Sequence, residues 1–141
     1  MIKPNVTFEQ GAYVKRPAAW VNQKLSVLRP MKIILSDGEY HIPTWDYFLT
    51  IIHADLGDRR LYLKDYWDCD DFALWFKVIA NSEYDINSLG YVHDYSSGHA
   101  YNSVLFPEGN VMLLEPQTDS LVFLSKRNRK FYGLKNGFVL V

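Results

Sequence analysis

The chain has a single cysteine among its 141 residues, which excludes any disulfide within it. It has no apolar run approaching the length of a membrane span. Its first residues, Met1-Ile2-Lys3-Pro4-Asn5-Val6, lack the apolar core of a secretory signal. A lone thiol without such a signal fits a reducing compartment. The expectation is therefore a soluble cytoplasmic protein, with release by lysis or by a carrier left open. Charge of either sign is not in excess. The formal net charge of −1 gives no electrostatic case for nucleic acid or an anionic membrane as partner. The one basic run, Lys126-Arg127-Asn128-Arg129-Lys130, is short and reads as a solvated turn between strands. No repeat, low-complexity tract or Pro/Gly/Ser-rich linker divides the chain.

What is present is apolar and aromatic. Nearly half the residues are hydrophobic and 16% are aromatic, which is too much for a disordered chain and suits one domain over residues 1–141. Residues 1–42 read as loops with short strands, such as Lys32-Ile33-Ile34-Leu35 before the Ser36-Asp37-Gly38 turn. Trp45, Phe48, Leu49 and Ile52 have helical spacing with Thr44 as N-cap, and Asp55-Leu56-Gly57-Asp58 ends the pattern. Residues 68–80 give the clearest helix, apolar on most sides and so expected to be buried on most sides. Strands follow over residues 90–95, 100–106 and 111–115, with two more expected over 121–124 and 138–141. A helical first half and a β second half make the class α+β. The aromatics Tyr62, Tyr66, Trp67, Trp75, Tyr91, Tyr95 and Tyr101 are expected to be mainly core.

The stretch Asp65-Tyr66-Trp67-Asp68-Cys69-Asp70-Asp71-Phe72-Ala73 carries the most chemistry. With Asp68 as N-cap, Cys69 is the first helical residue and Asp71 lies at the third position, where carboxylates satisfy free backbone N–H groups. A helix start also favours a thiolate. Three carboxylates beside a thiol act the other way and raise its pKa, which hints at a cation among them. Read structurally, Cys69 is simply a small buried residue on the apolar stripe.

A thiolate nucleophile needs a base, and the base needs an orienting partner. Of the four histidines, His41 and His53 lie in segments with no partner pattern. His93 shares a strand face with Tyr91 and Tyr95. His99 opens a strand after Ser96-Ser97-Gly98, at a sheet end. Phe106-Pro107-Glu108-Gly109-Asn110 reads as a three-residue hairpin loop with glycine at the left-handed position. That register pairs Phe106 with Asn110 and sets Glu115 opposite Tyr101, diagonal to His99 on the same face. A two-residue loop would place Glu115 on the other face. Asn102 is a rival orienter on the wrong face, and Asp94 and Asp119 are weaker rivals.

Cysteine on a helix, followed by histidine and an acidic residue on adjacent strands, is the chain order of papain-like hydrolases. Trp67-Asp68-Cys69-Asp70-Asp71-Phe72-Ala73, Gly98-His99-Ala100-Tyr101-Asn102 and Leu114-Glu115-Pro116-Gln117 together resemble the C-terminal protease domain of the MOA-type mushroom agglutinins. The resemblance covers roughly residues 60–125, leaving the first 40 residues unmatched. It implies a papain-like fold with a Cys-His-Glu triad on Cys69, His99 and Glu115. It also implies calcium dependence, with Asp70 and Asp71 as metal ligands. Two aspartates are fewer than the 6–8 oxygens that Ca2+ takes. The β-trefoil lectin portion has no counterpart in the sequence, so sugar binding is not part of the expectation.

The function expected from these readings is a cysteine peptidase acting on a protein or peptide. His99 would take the Cys69 proton, the thiolate would attack an amide carbonyl, and Glu115 would hold the imidazole. An oxyanion hole would include the Cys69 backbone N–H and a side-chain donor, for which Gln10 and Gln23 are the upstream candidates. The enzymatic alternative is a peptidoglycan amidase or endopeptidase. The non-enzymatic ones are a binding or virion-type module that keeps the fold, and a calcium-binding scaffold.

Overall fold

The computed structural model describes residues 11–54 and 59–141. Gln10 and the expected helix break at Asp55–Asp58 lie outside the described residues. The chain runs β1 (Tyr13–Pro17), α1 (Ala18–Leu25), a 3-10 turn (Ser26–Leu28), β2 (Lys32–Ile34), β3 (Glu39–Pro43), α2 (Trp45–Ala54) and α3 (Cys69–Tyr84). It then runs β4 (Gly90–Asp94), β5 (His99–Leu105), β6 (Val111–Glu115), β7 (Ser120–Val122) and β8 (Gly137–Leu140). The class is α+β, as expected.

The strands form two sheets among the described residues. β1 and β3 make an antiparallel ribbon, and six strands are ordered β2-β8-β4-β5-β6-β7. Among the described strands only β2 and β8 run parallel. The larger sheet is covered on both faces, which follows from the period-2 alternation of its central strands. Tyr101, Leu105, Leu113, Val92 and Val139 face Val21 and Leu25 of α1 and Tyr40 and Ile42 of β3. Val104, Met112 and Leu114 face the other way, against Phe48, Ile51 and Ile52 of α2 and Phe76 and Ala80 of α3. β5 is buried at every position but His99, including its polar Asn102 and Ser103, as a strand covered on both faces is.

The hairpin between β5 and β6 has the expected register. Asn102 pairs with Leu114 and Ser103 with Leu113. Phe106 N–H donates to Asn110 O at 3.1 Å, and Gly109 sits at φ 95°, a conformation costly for any residue with a Cβ. α2 starts as read, with Tyr47 N–H donating to Thr44 Oγ1.

Three expectations need correction. Residues 1–42 read as loops with short strands, yet Ala18–Leu25 is helical. Its N-cap is Pro17 in extended conformation, with no side-chain cap to announce the start. The α3 helix is buried on one face only. Phe72, Ala73, Phe76 and Ala80 pack inward while Leu74, Trp75 and Val78 stand in solvent, because the sheet covers α3 from one side. The aromatic cluster divides likewise. Tyr91 and Tyr101 are core, whereas Tyr62, Tyr66, Trp75 and Tyr95 are exposed.

Candidate functional site

Cys69 is the first residue of α3, and its cap is the one the acidic sequence implies. Asp68 holds an extended backbone at the N-cap, and Asp71 Oδ2 accepts the Asp68 backbone N–H at 3.2 Å. Asp68 Oδ2 accepts the Asp65 N–H at 3.0 Å. Cys69 is half-buried and packs against Ala73, Tyr91 and Ala100. Burial pushes its thiol pKa up, and the charges of Asp68 and Asp70 push it further. Hydrogen bonding to the Ala100 backbone offsets part of the rise.

His99 opens β5 and Glu115 closes β6, so the hairpin register brings them together on one face. His99 Nε2 lies 2.8 Å and 3.0 Å from the two Glu115 oxygens. Glu115 Oε1 also accepts the Tyr132 hydroxyl at 2.8 Å. Burial raises the Tyr132 phenol, and the Glu115 hydrogen bond and charge raise it further. The His99–Glu115 pairing thus agrees with the sequence reading. Tyr132 has no signal in the sequence. It lies in a turn-rich stretch after β7 and packs edge-on against Tyr101 within the larger core cluster. Among the described residues no hydrogen bond joins the Cys69 sulfur to His99.

The rivals are committed elsewhere. Asn102 points to the α3 side and donates to Ala73 O and Gly90 O. Asp94 is buried and accepts from Ser96, Ser97, Tyr101 and Leu134. These bonds outweigh its burial and hold its carboxyl below the usual range. His93 bonds the Tyr91 hydroxyl, and His41 stacks on Tyr13. Gln23 is exposed on α1.

Ser97, His99, Glu115, Phe131 and Tyr132 line an open cavity of about 350 Å³. The carboxylate and phenol belong to this lining, and Phe131 is its most exposed apolar residue. Beside Cys69, one donor atom each from Asp68, Cys69 and Asp70 lie within 4.8 Å of one another. A hydrogen bond between the two carboxyls raises Asp70 and lowers Asp68. Two carboxylates and a soft sulfur supply only part of a calcium shell, and Asp71 is occupied by the cap.

No family model and no curated protein matches the chain. Solved structures do. A complex of PSL1a with E64 superposes with a TM-score of 0.67 and 25% identity, over 90% of this chain and 51% of that one. Polyporus squamosus lectin, bound to the human-type influenza-binding epitope Neu5Acα2-6Galβ1-4GlcNAc, gives 0.67 and 26% over 90% and 49%. The chain is similar to a mushroom lectin. It spans about half the length of these lectin chains.

That similarity corrects the functional expectation. The neighbours are lectins, so the reading as a cysteine peptidase is withdrawn, together with the hydrolase and thiol-protease labels and the amidase alternative. The expected peptide substrate goes with it, since one neighbour is described with a glycan. The local electrostatics run the same way, because burial and two carboxylates disfavour the Cys69 thiolate. No helix among the described residues is long and apolar enough to cross a membrane.

Proposed function

We propose that the chain is a non-catalytic, lectin-like binding module. In this reading its helix-on-sheet layout is papain-like, and Cys69, His99 and Glu115 hold triad positions without an acyl-transfer role. The observation that carries the reading is the similarity to lectins over 90% of the chain, one of them bound to a sialylated trisaccharide. Because the chain spans half of each lectin, the choice of site rests on the chemistry of the cavity. Sugars are recognised by a few convergent polar groups beside an apolar face. Glu115 and the Ser97 hydroxyl oxygen offer acceptors for sugar hydroxyls, and exposed Phe131 offers a ring for the C–H face of a pyranose. The Glu115 carboxylate repels a second carboxylate, so the cavity favours a neutral hexose such as galactose over the acidic end of a sialylated glycan.

Titration calorimetry with Galβ1-4GlcNAc and with Neu5Acα2-6Galβ1-4GlcNAc tests this. The neutral disaccharide should bind at least as tightly as the sialylated one. Phe131→Ala and Glu115→Gln should each weaken it roughly tenfold, while Cys69→Ala leaves it unchanged. No heat with either glycan would end the lectin-like reading, as would amide turnover that disappears in Cys69→Ala.

For calcium, the resemblance points to Asp70 and Asp71. We place the stronger claim on Asp70, since Asp68 and Asp71 both serve the helix start. A site so short of protein oxygens should bind Ca2+ only at about 10⁻⁴–10⁻³ M. Binding should weaken as pH falls and Asp70 takes up its proton, and Asp70→Asn should abolish it. A Ca2+ isotherm unchanged in Asp70→Asn would remove the site.

A further inference from the structure

A second open cavity, of about 420 Å³, lies where the outer side of α3 meets β8. It is lined by Leu74, Lys77, Val78, Asn81 and Ser82 of α3 and by Leu140 of β8, and it shares no residue with the cavity at Glu115. Positions 74, 77, 78 and 81 follow helical spacing, so a single stripe of α3 makes most of the wall.

Lys77 is the one cation of this lining. A lysine beside apolar surface ordinarily carries its ammonium out to water, or pairs it with a carboxylate when buried. Lys77 does neither. The side chain is half-buried, and its Nζ donates to the main-chain oxygen of Leu89, a residue only 1% exposed, at 2.9 Å. Among the described residues no ion pair reaches it. One carbonyl leaves two of the three donors of an ammonium to find other partners. A neutral amine gives one N–H to that carbonyl and keeps a lone pair.

The charges around the amine are few. Asp37, in the turn between β2 and β3, opposes the loss of the proton, and its own Oδ2 accepts the Asn87 side-chain N–H at 2.9 Å. Glu83 of α3 accepts the Ser82 hydroxyl at 3.4 Å. β8 and residues 86–89 bring no titratable side chain. Burial outweighs Asp37 and lowers the amine from 10.5 to about 8. About a tenth of it is then neutral at pH 7, against roughly one in three thousand for an unshifted lysine. A lysine desolvated in an apolar pocket is the form of this side chain that attacks carbonyl groups.

The rest of the lining sets the class of partner. Leu74, Val78 and Leu140 are apolar, and no further cation is present to hold an acid or a phosphate. Asn81 and Ser82 suit one polar oxygen. An aldehyde carried on a hydrocarbon ring or short chain matches both, and the volume lies in the range of small-molecule pockets.

We propose that Lys77 takes a small apolar aldehyde into this cavity as a Schiff base. The amine nitrogen attacks the carbonyl carbon to give a carbinolamine. The carbonyl oxygen then leaves as water with the two amine protons, and the new N–C bond becomes C=N. Hydrolysis reverses the step, with no oxidant or reductant. The imine is neutral, so it asks for no counter-ion in a place that holds none. The glycan reading has no part in this site.

Treatment of the full chain with benzaldehyde and cyanoborohydride tests it, with labelled lysines located by peptide mass spectrometry. At neutral pH Lys77 should be labelled roughly tenfold faster than the other lysines. Its rate should reach half its maximum near pH 8, while theirs still climb toward 10.5. Benzyl alcohol, which has the ring without the carbonyl, should slow Lys77 and leave the others unaffected. Val78→Trp, at a position 56% exposed, fills the cavity and keeps the amine, so it should lose the fast label at an unchanged melting temperature. Lys77→Met should lose it as well. Labelling of Lys77 no faster than that of the other lysines would overturn the proposal. Fast labelling indifferent to both benzyl alcohol and Val78→Trp would also overturn it, since the amine would then react without the cavity.

Discussion

Glu115 accepts from two side chains at once, and removing it leaves the His99 ring and the Tyr132 hydroxyl without their partner. Glu115→Ala should therefore cost about 1–3 kcal/mol in urea unfolding. It should also let the Tyr132 phenol titrate at lower pH, read from tyrosinate absorbance. Lys77 is the other residue whose setting makes a measurable claim. Burial lowers its amine from 10.5 to about 8, against the opposing charge of Asp37, and its Nζ donates to Leu89 O at 2.9 Å. Below about 8 the amine is charged in both folded and unfolded chains, and the cost of burying it is present in full. Between about 8 and 10.5 the unfolded chain keeps a proton that the folded one has lost, so this group's contribution to stability rises with pH. Lys77→Met should be more stable than the parent by about 1 kcal/mol at neutral pH. Above 10.5 the gain should vanish, and the orphaned Leu89 carbonyl should make the variant the weaker of the two. Thermal melts across that range measure both limits.

At the scale of elements, the β5–β6 hairpin explains why part of the site is legible in the sequence alone. A loop of Pro107, Glu108 and Gly109 fixes the pairing, and the pairing fixes which side of the sheet Glu115 joins. Asp68, Cys69 and Asp71 are equally legible, because a helix start is a local matter of backbone N–H groups and short acceptors. Tyr132 and Phe131 are not, since nothing near them in sequence speaks of Glu115. The α1 helix is hidden by its lack of a polar cap, and the exposed side of α3 because periodicity cannot tell how many layers cover a helix. The order of Cys69, His99 and Glu115 along the chain does not fix what is done with them, and the lectin neighbours overturn the peptidase reading. Gly109→Ala should cost about 1–2 kcal/mol through its φ of 95°, measured by urea unfolding. Deleting Gly109 should do more. It shifts the register by one and separates Glu115 from His99, so the Tyr132 titration should then resemble that of Glu115→Ala.

The whole molecule is a sheet between two apolar layers, and its stability is distributed accordingly. Phe48 is fully buried between α2 and the sheet, so Phe48→Ala should cost about 3–5 kcal/mol in chemical denaturation. Phe131→Ala, at an exposed position, should stay within about 0.5 kcal/mol of the parent, which separates its ligand effect from any loss of fold. The strand order carries one more consequence. β8, residues 137–140, lies inside the sheet between β2 and β4, and Val141 O accepts from Ser36. During vectorial synthesis, β2 must wait for more than a hundred residues before its neighbour leaves the ribosome. Closure of the sheet is thus a late, long-range event, and a nascent chain stalled ahead of Gly137 should remain open to protease.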